Sequence, residues 1–247
     1  MNWIISDVHG MYDQLVNLID QIKKKDSDPT FWFVGDYCDR GPKSKEVVDY
    51  ILALGDKAKC VRGNHDDMFH VVLTNEKSKA SGLNGDDAAG EAFDWFFNYG
   101  LPETLMSYGK TIDEIKAAKG SLSKIKDLVS DISDEHRNFY KNLPFYIEGP
   151  DFLIIHACYP IQKTLDEIDS IDKEILIWSR FSPIDVQWEK KWNKTVYFGH
   201  TPTNYYPTLT DQYGIVKGDK ISLIDTGSVY GGVLTAICHE SQEIVQI

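Results

Sequence analysis

The feature that most constrains this chain is a series of short apolar runs that each end in polar residues. The runs are rich in β-branched and aromatic side chains, which is typical of buried strands. They lie at residues 3–5, 31–34, 59–61, 152–155 and 195–198, and each is followed closely by Asp, Asn or His. Because ligands of open α/β sheets gather at the carboxyl ends of the strands, we expect these polar side chains to meet at one edge.

Helical patterns separate the first three runs. One apolar face repeats at helical spacing through Leu15, Leu18, Ile19 and Ile22. A second spans residues 47–54. This β-α-β-α-β opening predicts parallel strands covered by helices, whereas the strand-rich end from about residue 195 is expected to be antiparallel. The fold class is therefore predicted to be mixed α/β.

The segment from about residue 76 to 135 has a different character, because it carries none of the strand-end motifs. We interpret it as a helical insertion beside the site, within a single domain that spans residues 1–247. Its close group of aromatic residues, 93–97, is expected to form a local core, since large apolar side chains are usually buried. The insertion is expected to shape substrate choice and not the chemical step.

Charge and cysteine usage exclude several classes of protein. With 26 Lys and Arg against 38 Asp and Glu, the formal charge is −12, which disfavours binding to duplex nucleic acid or an anionic membrane. No apolar run approaches the ~20 residues that span a bilayer, and no export signal is visible, so we expect a cytoplasmic protein. The four cysteines are far apart and form no Cys-x-x-Cys pair or Cys-x₅-Arg loop, which disfavours a disulfide framework and thiol catalysis.

The strand-end residues have the composition of a metal site. Asp7 and His9 are two residues apart, so an extended backbone points them to the same side. The other candidates arrive from four further strands and are Asp36, Asn64, His156 and His200. Carboxylate, amide and imidazole groups suit Mn²⁺, Fe²⁺ or Zn²⁺. A single Asp-x-His motif is more typical of a turn with a satisfied histidine, but six such ligands suit two ions that share a carboxylate, about 3.5–4 Å apart.

Five motifs resemble the signature blocks of the phosphoprotein phosphatase family of metallophosphoesterases. They are Asp-Val-His-Gly at 7–10, Gly-Asp-Tyr-Cys-Asp-Arg-Gly at 35–41, Gly-Asn-His-Asp at 63–66, Ile-His-Ala at 155–157 and Gly-His-Thr-Pro at 199–202. The compact length and the His-Ala-Cys-Tyr-Pro block at 156–160 look most like the bacterial and phage (lambda-type) serine/threonine protein phosphatases. The resemblance implies a calcineurin-like β-sandwich flanked by helices. Two departures are Ser6, where the family commonly has glycine, and the longer insertion.

The resemblance also implies a ligand set for two divalent ions, with Mn²⁺ as the expected metal and Fe or Zn as the alternatives. The first ion would be held by Asp7, His9 and Asp36. The second would share Asp36 and add the ligands Asn64, His156 and His200.

Further roles follow from the same resemblance. Two ions would activate a hydroxide for attack on phosphorus, and His65 would protonate the leaving group as a general acid. Asp39 would orient His65, the alternative for Asp39 being a turn cap. Arg40 and Arg180 would bind phosphate oxygens through their guanidinium groups. For Arg180 the alternative is an ordinary surface arginine.

Taken together, these residues predict a metal-dependent phosphomonoester hydrolase, foremost a protein serine/threonine phosphatase. A dinucleoside tetraphosphatase or a small-molecule phosphatase on the same scaffold is the alternative, because the site chemistry depends only on the phosphate. The expected partner is a phosphorylated protein or a small phosphoester. A non-catalytic binding module is disfavoured, because no ligand and neither member of the His–Asp pair is missing.

Overall fold

The computed structural model describes residues 1–83 and 86–247; residues 84 and 85, which belong to the expected insertion, lie outside the described part. Within these residues, ten strands form two five-stranded sheets. The strands are β1 (Asn2–Ile5), β2 (Thr30–Phe33), β3 (Ala58–Cys60), β4 (Tyr146–Glu148), β5 (Phe152–Ile155), β6 (Thr195–Phe198), β7 (Val216–Gly218), β8 (Ile221–Leu223), β9 (Thr235–Cys238) and β10 (Ile244–Gln246).

Each sheet is mixed. The first has the order β10-β9-β1-β2-β3, and the second has the order β4-β5-β6-β8-β7. Strands β1, β2 and β3 are parallel, as the β-α-β-α-β pattern predicts. The first sheet is completed by β9 and β10, which are antiparallel to their neighbours.

Strand β6 corrects one expectation from the sequence. It runs parallel to both of its neighbours, β5 and β8, so the prediction of antiparallel strands from about residue 195 is wrong for β6 and correct for the β7–β8 and β9–β10 pairs. Strand direction depends on the path of the connecting chain, which local composition does not reveal. The parallel arrangement brings the ends of β5 and β6, and thus His156 and His200, to the same edge.

The sheets pack face to face, and the alternation of side chains along each strand explains how. Ile4 and Trp32 point between the sheets, where Trp32 meets Phe152 of the second sheet edge-on at a centroid distance of 4.9 Å. Their neighbours Trp3 and Ile5 point to the opposite face and pack against helices. Strands buried on both faces lack the polar alternation of a half-exposed strand, which is why these runs are almost wholly apolar.

Helices cover the outer faces and fill the middle of the chain. They are α1 (Tyr12–Lys25), α2 (Ser44–Ala53), α3 (Asn64–Thr74), α4 (Ala88–Phe96), α5 (Leu101–Ser107), α6 (Ile112–Ala118), α7 (Leu122–Leu128), α8 (Asp134–Asn142), α9 (Lys173–Trp178) and α10 (Pro183–Gln187). The four apolar residues that predicted α1 are all buried. None of the helices in the described ranges is long and apolar enough to cross a membrane.

Helices α4 to α7 lie within the expected insertion, and α8 crosses its expected end. Their buried residues, such as Phe93, Leu105 and Ile115, belong to the same apolar cluster as α1 and α2. The segment therefore packs continuously on the first sheet. Mixed α/β architecture with two sheets and flanking helices is confirmed.

Candidate metal centre

The six predicted ligands converge at the edge where the parallel strands end. Five of them are buried, and His200 is half-buried. His9, Asp36 and His200 adopt left-handed backbone conformations, with φ of 42°, 55° and 65°. Such conformations are uncommon outside glycine and cluster at functional sites. These sharp turns follow the strands directly and aim the side chains at a common region.

Asp36 lies at the centre of two groups of side chains. One carboxylate oxygen, Oδ2, is 3.3 Å from Nε2 of His9, and the other, Oδ1, is 3.5 Å from Nε2 of His156. His65 completes the first group and His200 the second, with candidate ligand atoms within 4.8 Å of one another in each. A carboxylate shared by two groups is the arrangement that a pair of ions requires.

Three backbone carbonyls fix the tautomers of the candidate ligands. Nδ1 of His9 and Nδ1 of His156 each lie 2.7 Å from a carbonyl oxygen, and Nε2 of His200 lies 3.1 Å from one. The carbonyls belong to Cys38, Val34 and Trp178, respectively. Because a carbonyl can only accept, each ring donates there and directs its other, unprotonated nitrogen to the centre.

Asn64 extends the second group. Its side-chain oxygen Oδ1 lies 3.2 Å from Nε2 of His156 and 3.0 Å from Nδ1 of His200. Burial lowers the pKa of both histidines. They are therefore held in the neutral form, which is the form that binds metal.

Asp7 provides the test of whether a cation fits. Its Oδ2 accepts a hydrogen bond of 2.8 Å from the backbone of His200, but its buried Oδ1 has no partner among the described residues. Burial raises the pKa of Asp7 well above its usual value, and the nearby carboxylates of Asp225 and Asp36 raise it further. A buried, unpartnered oxygen among like charges is costly, and a divalent cation would relieve that cost. The donor set therefore fits two divalent ions.

Asp66 holds two of the strand-end loops together. Its Oδ2 accepts hydrogen bonds of 2.8 Å from the backbone N–H groups of Asp36 and Gly63, and Oδ1 accepts one of 2.9 Å from that of Tyr37. Asp66 is thus tied to the loops after β2 and β3. An acidic residue in the first turn of a helix is common, so its position in the sequence does not distinguish this role.

His65 and Asp39 form a buried pair beside the centre. Nδ1 of His65 lies 2.7 Å from Oδ2 of Asp39, and both residues are at most 2 % exposed. Burial raises the pKa of Asp39 to about 7 and lowers the pKa of His65. Burial alone therefore opposes a charged pair of His65 and Asp39, so the protonated His65 that a general acid requires needs additional negative charge nearby, such as a bound phosphate.

Both predicted phosphate-binding arginines line a cavity of about 480 Å³ above these groups, together with Asn64, His65 and His200. Arg40 lies over the ring of Tyr230, with its Cζ 5.3 Å from the ring centroid, and its Nη1 approaches Nε2 of His9. Arg180 is exposed and lines the same cavity.

The walls of the cavity are aromatic, which the sequence did not predict. They are formed by Trp95, Phe96, Tyr99, Trp178, Tyr205 and Tyr230. The expectation that residues 93–97 form a local core is correct for Phe93 and Phe96 but wrong for Trp95, which is 41 % exposed. Trp95 instead stacks on Trp178 of α9, with parallel rings 5.1 Å apart. Only the long-range packing of α4 against α9 reveals this wall.

Comparisons with known proteins agree with this geometry. A family model described as calcineurin-like phosphoesterase matches residues 3–223. A symmetrical bis(5'-nucleosyl)-tetraphosphatase of Vibrio cholerae serotype O1 is 28% identical over 98% of this chain and 96% of its own length.

Two solved structures share the fold. One, provisionally named a diadenosine tetraphosphatase, covers 100% of this chain and 92% of its own at a TM-score of 0.58 and 21% identity. The other, a serine/threonine phosphatase from Saccharomyces cerevisiae, covers 100% of this chain and 78% of its own at a TM-score of 0.57 and 15% identity. At these identities the structures show a common fold only.

Proposed function

The chain belongs to the calcineurin-like phosphoesterase family, and we propose that it hydrolyses bis(5'-nucleosyl) tetraphosphates symmetrically, to two nucleoside diphosphates. The observation that carries this proposal is the similarity to a symmetrical tetraphosphatase along nearly the whole of both chains. The serine/threonine phosphatase expected foremost from the sequence is supported by fold alone, so we favour the alternative. The finer resemblance to lambda-type phosphatases stays a prediction.

The floor of the cavity suits a polyphosphate. Arg40 and Arg180 present two guanidinium groups beside the candidate metal ligands. Each guanidinium can form paired hydrogen bonds to phosphate oxygens. This local positive charge, on a chain whose formal charge is −12, would select the most anionic part of a substrate.

The aromatic walls suit the two ends of such a substrate. Trp95, Tyr99, Tyr205 and Tyr230 are between 41 % and 69 % exposed, an unusual state for large aromatic side chains. Stacking of a nucleobase on an aromatic ring contributes about 1–3 kcal/mol. Every dinucleoside polyphosphate has a planar base at each end, whereas a phosphopeptide carries an aromatic group only where its sequence provides one, so the walls favour a nucleotide over a phosphoprotein.

We assign the following roles to the side chains. Asp7, His9, Asp36, Asn64, His156 and His200 would hold two divalent ions, with Mn²⁺ the first metal to test. When bound, such ions neutralise phosphate charge and lower the pKa of a water molecule. Arg40 and Arg180 orient the polyphosphate, and His65, positioned by Asp39, donates a proton to the departing oxygen. Water is consumed, the central P–O–P bond breaks, and each half leaves as a nucleoside diphosphate.

A substrate panel with added Mn²⁺ tests the proposal. It would compare a bis(5'-adenosyl) tetraphosphate, a phosphoserine peptide and 4-nitrophenyl phosphate, with products separated by ion-exchange chromatography. We expect the dinucleotide to give the highest kcat/KM and ADP as the only nucleotide product. A higher kcat/KM for the phosphopeptide would favour the serine/threonine phosphatase, and an AMP and ATP mixture would exclude symmetrical cleavage.

A further inference from the structure

The loop that carries Asp39 and Arg40 has a strained backbone. Both residues lie in the left-handed region, with φ of 68° and 71°, although neither is glycine. Such conformations are unfavourable for residues other than glycine and persist only where the surroundings hold them in place. The contacts that hold this loop therefore determine where the carboxylate of Asp39 points.

Those contacts come from α5, inside the segment that the sequence interprets as an insertion. The backbone N–H of Asp39 donates to Oγ1 of Thr104 at 2.7 Å, and the backbone N–H of Arg40 donates to the carbonyl of Gly100 at 3.3 Å. A side chain at Gly100 would collide with the backbone of Arg40, so only glycine permits this approach.

Thr104 also binds the side chain of Asp39. Its hydroxyl donates to Oδ1 of Asp39 at 2.7 Å, while Oδ2 of the same carboxylate faces Nδ1 of His65 at 2.7 Å. A hydroxyl has one hydrogen, so the remaining contact of Thr104, 3.2 Å from Oγ of Ser44, is donated by Ser44. Thr104 and Ser44 are completely buried, so their hydroxyl groups are shielded from bulk solvent.

Phe96 adds a third contact from the same segment. Its ring meets the imidazole of His65 edge-on, with centroids 4.9 Å apart. Helices α4 and α5 thus contact the acid–base pair on both sides: Phe96 on the imidazole and Thr104 on the carboxylate.

We propose that Thr104 is a positioning residue for proton donation by His65, an inference that rests on the roles of His65 and Asp39 in the proposed function. It fixes the Asp39 carboxylate at both its backbone and its Oδ1 atom, so that Oδ2 holds the imidazole in the orientation needed for the leaving group. The segment from residue 76 to 135 therefore supports the chemical step as well as substrate choice.

The test is a pair of variants measured with two substrates. Thr104→Val keeps the volume and removes the hydroxyl, and Thr104→Ser keeps the hydroxyl. With added Mn²⁺ we expect Thr104→Val to lower kcat on an alkyl phosphate monoester about tenfold, a fraction of the ~10²–10⁴-fold that general acid catalysis contributes. On 4-nitrophenyl phosphate, whose nitrophenolate group leaves without a proton, we expect kcat to fall by less than about twofold. Thr104→Ser should retain most of the kcat on the alkyl phosphate that Thr104→Val loses. KM and metal content should be unchanged in both variants.

Ser78→Ala is the matched control. Its hydroxyl also donates to a buried carboxylate, Oδ2 of Asp67 at 2.6 Å, but that carboxylate pairs with Arg62 and not with His65. If the loss of any buried hydroxyl destabilises the protein, Ser78→Ala should be destabilised as well. A loss of kcat that depends on the leaving group should occur only in Thr104→Val. If Thr104→Val does not fold, Thr104→Cys replaces it.

A second measurement does not depend on turnover. In the metal-free protein, the proton between His65 and Asp39 should give a low-field NMR signal, assigned by its loss in His65→Asn. We expect this signal to shift or disappear in Thr104→Val and to stay in Thr104→Ser and Ser78→Ala. An unchanged signal in Thr104→Val, or equal losses of kcat on both substrates, would overturn the proposal.

Discussion

Asp36 contacts both groups of candidate ligands through its two carboxylate oxygens. We therefore expect Asp36→Asn to weaken the binding of both ions and to reduce activity to background. Titration calorimetry with Mn²⁺ measures this directly. Asp26→Asn serves as a control, because Asp26 is also buried but pairs with Trp3 at the far end of β1. Retention of one tightly bound ion in Asp36→Asn would show that Asp36 does not bridge.

His65 permits a second prediction at the scale of single residues. Nucleoside diphosphates are good leaving groups that need little protonation as they depart. Alkoxides are poor leaving groups and depend on protonation by a general acid. We expect His65→Asn to reduce kcat on an alkyl phosphate by ~10²–10⁴-fold and on a dinucleoside tetraphosphate far less.

Metal content in His65→Asn should be normal, although His65 lies within 4.8 Å of the candidate ligand atoms of His9 and Asp36. Loss of an ion from this variant would place His65 among the ligands. Equal losses on both substrates, with both ions retained, would indicate that it stabilises charge and does not donate a proton.

At the scale of elements, the wall that α4 contributes to the cavity gives a third prediction. We expect Trp95→Ala to raise KM for a bis(5'-nucleosyl) tetraphosphate roughly 5- to 150-fold, the equivalent of the ~1–3 kcal/mol of a stacked base. Turnover of 4-nitrophenyl phosphate, which has no base, should change little. Trp188→Ala is the matched control, since Trp188 is 57 % exposed and lies outside the cavity lining. Equal effects of the two variants would remove Trp95 from the proposed base contacts.

The helices and strands also show which features of this molecule can be predicted from its sequence. The buried face of α1 and the parallel direction of β1, β2 and β3 follow from the alternation of helical and strand-like apolar patterns, because burial on a helix face or between sheets imposes a repeat on the sequence. The candidate ligands could be identified because Asp, Asn and His after strands are chemically distinctive. Within one sheet, the convergence of such residues at one edge follows from parallel strands. The meeting of Asp7 and Asp36 with His156 and His200 depends in addition on how the two sheets pack.

Other features depend on contacts between distant segments, and no local sequence pattern predicts them. The direction of β6 follows from its connections, and the exposure of Trp95 follows from the position of α9. The contact of Thr104 with Asp39 joins residues that are 65 positions apart in the chain. Threonine in a short helix carries no functional signal of its own. Its role is apparent only because a strained loop lies against it.

At the scale of the whole molecule, the candidate ligands connect the two sheets. Asp7 and Asp36 follow strands of the first sheet, and His156 and His200 follow strands of the second. Ions bound between them should stabilise the native state, because the unfolded chain cannot hold the ligands together. At a free Mn²⁺ concentration 100 times the dissociation constant, each site would add about 2.7 kcal/mol to the free energy of unfolding. Asp36→Asn should abolish this increase, as measured by thermal or denaturant unfolding.

The metal-free protein should also respond to pH in a definite direction. The pKa of Asp7 is raised in the folded state, by burial first and by Asp225 and Asp36 next. Above the ordinary Asp pKa of about 3.9 the unfolded chain has released this proton while the native state still binds it. The native state then holds more protons, so its free energy of unfolding falls as pH rises through this window. We expect denaturant unfolding in the presence of a metal chelator to show this fall in the free energy of unfolding. Saturating Mn²⁺ should remove the fall, because a cation stabilises the ionised carboxylate. Asp7→Asn should flatten the metal-free profile; an unchanged slope in Asp7→Asn would mean that other groups cause the pH dependence.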